Sequence, residues 1–184
     1  MPFKYFPVTS IGYSAFLALS LLFLAGCSLN KSDSGQTYAM GQEAVVGPLT
    51  YNVVETEWKE SIDGSVGPRM PKHRFLLVNI SVSNKSEKDI GIPLLTLIDE
   101  KGVEYREEDK GEGVASWLGF LRQVGPAEPL QGRLLFDVPP AGYKLRISSG
   151  GDAESETTAL VDIPFRAEAP PVKAADPASV PTAK

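Results

Sequence analysis

Leu76-Leu77-Val78-Asn79-Ile80-Ser81-Val82-Ser83-Asn84 is the stretch that decides the fold class. Residues 76, 78, 80 and 82 are apolar, while Asn79, Ser81 and Ser83 point the other way. Successive side chains of a strand alternate between its two faces, so this pattern reads as a half-buried strand. Outward from it, the same period recurs. Arg133-Leu134-Leu135-Phe136-Asp137-Val138 places Leu134, Phe136 and Val138 on one face. Tyr143-Lys144-Leu145-Arg146-Ile147 repeats the pattern with its basic residues outward, and Val161, Ile163 and Phe165 share a face near the end. Leu49 to Val54 predicts an early strand and Pro93 to Ile98 a further one.

Turn-forming residues separate these runs. Asp63-Gly64 and Gly67-Pro68 predict a loop after the first long strand, and Asn84-Lys85-Ser86 ends the best one. Asp99-Glu100-Lys101-Gly102 predicts a tight hairpin leading to Val103-Glu104-Tyr105, and Pro139-Pro140-Ala141-Gly142 a short connection. No segment keeps a helical period beyond about two turns, and the best helix candidate is Gly113 to Leu121. Many short strands with regular turns predict an all-β sandwich or barrel.

Composition narrows the function classes. The 184 residues are 42% hydrophobic and 22% charged, with 18 basic against 23 acidic side chains and a formal charge of −5. That balance argues against nucleic acid, whose phosphates need a basic patch. It also gives no pull toward anionic lipid headgroups. The single cysteine rules out an intrachain disulfide, although exported domains often use them.

The first stretch explains the cysteine. Lys4 is the only charged side chain before Lys31, and an apolar run lies between them from about Ile11 to Ala25. A basic start, a short apolar core and small residues at its end make a secretory signal. The core is short of the ~20 apolar residues a spanning helix needs. Leu24-Ala25-Gly26-Cys27 then resembles the lipobox of bacterial lipoproteins. The resemblance implies a signal helix cleaved after Gly26 and acyl chains, palmitate among them, on Cys27. Two or more chains anchor stably where one anchors marginally. The competing reading is an uncleaved anchor helix with an incidental cysteine. Ser28 follows, where an aspartate would signal inner-membrane retention. Serine permits passage to the outer membrane if the host is Gram-negative.

The expected organisation is a signal over residues 1–26, a lipidated Cys27 with a flexible tether to residue 40, a β domain over 41–166 and an Ala/Pro-rich disordered tail over 167–184. Within the β domain, four stretches resemble the DUF4352 family of immunoglobulin-like domains. They are Lys72-His73-Arg74-Phe75-Leu76-Leu77-Val78 running to Asn84-Lys85, Leu97-Ile98-Asp99-Glu100-Lys101-Gly102 with Tyr105, Leu130-Gln131-Gly132-Arg133-Leu134-Leu135-Phe136-Asp137-Val138-Pro139, and a closing strand near Leu160 to Phe165. The resemblance implies an immunoglobulin-like antiparallel β-sandwich, like that of the secreted mycobacterial immunoprotective antigen. Its motifs are structural, so it assigns no reaction. Residues 106–125 look like an insertion that does not align.

Candidate chemistry is sparse. His73 is the only histidine, and a nucleophilic triad would need it; beside Lys72 and Arg74 it reads as a surface residue at a strand entrance. Met70, His73 and Met40 offer donors suited to Cu(I), but only the Met70-x-x-His73 pair is close in sequence. Glu107, Glu108, Asp109 and Glu112 form an acidic run interrupted by Lys110, without the spacing of a calcium loop. Trp117-Leu118-Gly119-Phe120-Leu121 is either a plug packed on the sandwich, the first reading, or an exposed contact patch of Trp117, Leu118 and Phe120.

The expectation is therefore a non-catalytic interaction or scaffolding domain in the bacterial cell envelope, without cofactor or metal. It would be tied to a membrane by acylated Cys27 and would touch an envelope protein partner. A ligand- or metal-binding protein, for copper or calcium, is the alternative.

Overall fold

Strand β6 (Arg74–Asn84) is the long strand expected from the alternating stretch, and its residues 76, 78, 80 and 82 are buried while Asn79, Ser81 and Ser83 are half-buried on the other face. The computed structural model describes residues 33–150 and 155–166. The other strands, in chain order, are β1 (Asp33–Ala39), β2 (Glu43–Val46), β3 (Leu49–Lys59), β4 (Ile62–Gly64), β5 (Gly67–Arg69), β7 (Ile90–Ile92), β8 (Thr96–Ile98), β9 (Glu104–Arg106), β10 (Arg122–Val124), β11 (Leu130–Val138), β12 (Tyr143–Ser148) and β13 (Thr158–Ile163).

They form two facing sheets, ordered β11-β6-β3-β2 and β1-β13-β12-β8-β9, with small ribbons β10-β7 and β4-β5. Both sheets are antiparallel except for the β1–β13 pair, which is parallel. Inward side chains meet in one core that includes Tyr51, Leu76, Val78, Ile80, Phe136, Leu145 and Ile147. The fold is the expected all-β, immunoglobulin-like sandwich.

The hairpin motif has a local cause. Asp99 Oδ1 accepts from the amides of Lys101 and Val103 at 2.9 and 2.8 Å, and Gly102 takes the positive φ of the turn. An Asp side chain supplies those bonds, and glycine adopts that φ without strain.

Several expectations are corrected. Residues 33–39 are not tether: they form β1, whose partner along β13 places Tyr38 in the core. The pattern was hard to see because an edge strand buries few side chains. The expected helix at Gly113–Leu121 is absent: turns occupy it, with positive φ at Gly113, Ser116 and Gly119. The Asp63–Pro68 region is the β4–β5 hairpin rather than a loop. The Pro93–Ile98 strand is β8 alone, separated from β7 by Pro93, Leu94 and Leu95. Phe165 lies past the end of β13, half exposed and edge-on to the Trp58 ring at 5.9 Å.

Residues 106–125 are a second layer. The amide of Glu108 donates to Leu135 O at 2.8 Å, that of Leu118 to Arg133 O at 3.1 Å, and that of Arg133 to Ser116 O at 2.8 Å. These bonds cap the free edge of β11, which would otherwise expose unpaired backbone groups. On the outer face of the same sheet, Phe75, Leu77, Leu135 and Ile62 pack beneath Val114 and Trp117 as a separate small cluster. Gly132 permits this approach: a Cβ there would collide with the Ser116 carbonyl and the Leu118 side chain.

The two ends of the sandwich differ. β1 and β13 begin together, with Asp33 opposite Thr158. The ends of β6 and β12 lie at that same end, through the pairings Leu49 with Asn84 and Ser148 with Thr158. This is the β1 end. The hairpin end carries the Asp99–Gly102 turn, the 139–142 connection and the last described residues.

Candidate functional site

The β10–β7 ribbon sits at the β1 end because Asn84, where β6 stops, holds it there. The Asn84 amide nitrogen donates to Val124 O at 2.8 Å and Lys88 O at 2.7 Å, while its Oδ1 accepts from Ser86. Arg122 of β10 faces inward. Its guanidinium forms a forked pair with Glu107, at 2.6 Å to Oε1 and 3.0 Å to Oε2, and both side chains are 1% exposed. The Glu107 carboxylate also accepts from the Leu95 amide at 2.5 Å, and Arg122 donates to Pro93 O at 2.7 Å. Arg122 Nε has no hydrogen-bond partner among the described residues. A planar fork matched to a carboxylate fixes both groups, which stabilises a rigid floor.

Beside this pair, Tyr51 donates its hydroxyl to Ser148 O at 2.5 Å. Burial pushes the Tyr51 hydroxyl well above the ordinary phenol range, opposed by the Arg122 guanidinium and the bond to Ser148. Ser148 Oγ in turn donates to Glu156 Oε1 at 2.5 Å.

Over this floor lies a cleft of about 750 Å³, walled by Ile92, Pro93, Phe120, Leu121, Arg122 and Glu156 among others. Phe120 is 53% and Leu121 89% exposed. Adjacent apolar side chains held open to water on a rigid base suit contact with an apolar or amphipathic surface.

The expected patch is thus divided. Trp117 and Leu118 are half-buried plugs, Trp117 against the small cluster and Leu118 against the main core. Only Phe120 faces solvent, and its neighbour Leu121 joins it. The acidic run is dispersed as well. Glu107 is buried against Arg122, Glu108 lies 3.9 Å from Arg69, and Glu112 accepts from the Ser65 amide at 2.7 Å and from its hydroxyl. Those bonds hold the Glu112 carboxyl below its ordinary range. Asp109 is exposed.

Met70 is 71% exposed after β5, His73 is exposed at the start of β6, and Met40 packs against the main core. The backbone amides of Lys72 and His73 donate to the Asp137 carboxylate at 2.5 and 2.8 Å. Among the described residues, no group of three His, Cys, Asp or Glu side chains converges where a metal ion would sit. Leu24, Ala25, Gly26 and Cys27 lie outside the described residues, as does the tail over 167–184.

Sequence reasoning missed Arg122 and the inward turn of Glu107. The available signal was slight: one arginine in Arg122-Gln123-Val124, at an alternating position, after an unpaired acidic run.

The model of the DUF4352 family, a domain of unknown function, matches residues 38–158. Comparison with curated proteins finds no match. Among solved structures, the yjhA protein of Bacillus subtilis is similar at 15% identity and a TM-score of 0.50, over 68% of this chain and 99% of that one. The secreted protein MPT63 of Mycobacterium tuberculosis is similar at 11% identity and a TM-score of 0.48, over 70% of this chain and 97% of that one. A Bacillus subtilis protein described as a candidate lipoprotein, ycdA, is similar at 15% identity and a TM-score of 0.48, over 65% of this chain but 38% of that one. At such identities the likeness concerns the fold alone.

Proposed function

The chain belongs to the DUF4352 family, and on that footing we propose that it is a non-catalytic contact module, held at the bacterial cell envelope by lipid on Cys27, whose cleft receives another envelope component. The observation that carries this reading is the exposed Phe120–Leu121 pair above the buried Arg122–Glu107 floor. A floor fixed by five charge-assisted or backbone bonds keeps the pair in place without the pair itself being buried. Contact energy in such surfaces concentrates in a few aromatic and apolar anchors on rigid supports.

The anchoring part rests on Leu24-Ala25-Gly26-Cys27 at the end of the apolar run. Attachment by acyl chains leaves the domain free to sample nearby envelope components at high effective concentration.

The test places a photo-crosslinking side chain at residue 121 or, as a control at the opposite end, at residue 100 in living cells. Contact products are expected from 121 and to be lost with Phe120→Ser. Equal yields from the two positions would overturn the assignment of the cleft. Separately, the mass of the mature chain should show acyl chains on Cys27, lost in Cys27→Ser.

A further inference from the structure

We infer that the component met by the cleft is the bilayer surface itself: the Phe120–Leu121 pair is a second, weaker membrane contact that sets how the anchored domain stands. The inference rests on the lipidation reading above and deepens it. Its first support is reach. From Cys27 to Asp33, where β1 begins, there are six residue steps, which span at most about 20 Å fully extended. β6, whose 11 residues run the length of the sandwich, is about 36 Å long. An anchor chain of ~20 Å is too short to let the hairpin end face the membrane while Asp33 stands ~36 Å above it. A domain standing upright on the membrane therefore has its β1 end, and not its hairpin end, toward the lipid.

The second support is what that end displays. The cleft is walled by both Phe120–Leu121 and Glu156, two residues before β13 starts beside β1. Leu94, also partly exposed, lies in the link from β7 to β8 at the same end. Among the described residues, the most exposed adjacent apolar pair thus lies at the end that the tether holds to the bilayer. An aromatic ring and a leucine at headgroup depth are favourable there. Charge gives little help, since Lys85 and Lys88 alternate with Glu87 and Asp89 in the loop after β6. Apolar insertion is what the end offers. Retention on the membrane would come from the acyl chains; the pair would fix orientation.

The experiment uses the mature acylated protein in phosphatidylethanolamine–phosphatidylglycerol vesicles. Because the only native cysteine is the acylated Cys27, Leu121→Cys and, as the control, Glu100→Cys each carry one free thiol for an environment-sensitive fluorophore. Both positions are exposed, so neither change disturbs packing. Lipids brominated near the headgroup should quench the residue-121 probe several-fold more than the residue-100 probe, and its emission should shift to the blue. Phe120→Ser should lessen that quenching while leaving the protein on the vesicles. If the residue-121 probe is as open to aqueous iodide as the residue-100 probe, the inference is overturned. A protein product at residue 121 in cells would then identify a protein as the cleft's occupant. Absence of acyl mass on Cys27 would overturn the anchoring reading itself, an outcome read before any fluorescence is measured.

Discussion

The two faces of β6 are buried by different parts of the chain. On the inner face, Leu76, Val78, Ile80 and Val82 meet the opposite sheet in the main core. On the outer face, Phe75 and Leu77 are covered by Val114 and Trp117, carried there by the 106–125 segment. The inner face is built from alternating strands that bury each other and joins the whole molecule. The outer cluster is small, with its cover half open to solvent. The lesson is that one strand can belong to two layers of unequal strength, and only the stronger is written in its own period.

Removing an inner-face ring should have the largest effect. Phe136→Ala, at a fully buried position, should cost about 3–5 kcal/mol in denaturant unfolding. A loss under about 1 kcal/mol would mean that the inner core can collapse around the gap.

The joint between the layers comes next. Glu107→Gln leaves Arg122 charged, buried and unpaired, with an expected loss of about 3–5 kcal/mol. Glu107→Leu together with Arg122→Met should restore only part of it: the buried charge is gone, but the Leu95 amide and the Pro93 carbonyl lose their partners. If the double variant is as unstable as the single one, the pair is doing more than neutralising itself. Trp117→Ala should cost less than Phe136→Ala, about 1–3 kcal/mol, because the ring is only half buried. Equal losses would erase the distinction between the layers.

The smallest effects are in pH, and they separate the layers by sign. Tyr143, on the inner side, is pushed up to about 12 by burial, with the negative charges of the Tyr105 phenolate and Asp99 adding to it. A raised folded value means that its contribution is intact below the unfolded value of 10.0 and is lost as pH rises toward about 12. Glu112, which ties the outer segment to Ser65, is shifted down from 4.5. Its contribution is present above 4.5 and lost as pH falls through the lower folded value. Trp117 emission in a Trp58→Phe background should therefore change in acid before global unfolding. The alkaline loss of stability should flatten in Tyr143→Phe. Trp117 emission unchanged until global unfolding would show that Ser65–Glu112 does not hold the outer layer.

The same contrast explains what was legible in the sequence. β6, β11 and β12 could be read because in each an apolar inner face recurs at every second residue with mostly polar residues between, and the Asp99–Gly102 hairpin because its bonds lie within five residues. β1 could not: Asp33-Ser34-Gly35-Gln36-Thr37-Tyr38-Ala39 is a polar edge strand held by backbone bonds to β13, which lies more than a hundred residues away. Glu107 was hidden for a related reason. Charged residues are expected in water, and its partner lies 15 residues on, in a different strand. The Gly113–Leu121 segment carries apolar residues at near-helical spacing, yet its backbone is bent by positive φ at three positions to follow the edge of β11. In each case the decisive neighbour is distant in the chain.

The parallel β1–β13 pair has a mechanical consequence. The chain enters β1 at one end of the sandwich and leaves β13 at the other, and the two strands lie side by side. Tension applied between the first and last described residues would pull these neighbours in opposite directions along their length. The load would fall on all their connecting bonds together as shear, rather than opening them one at a time like a zipper. A domain held by attachments at those two ends would be stiff along the line on which it is pulled.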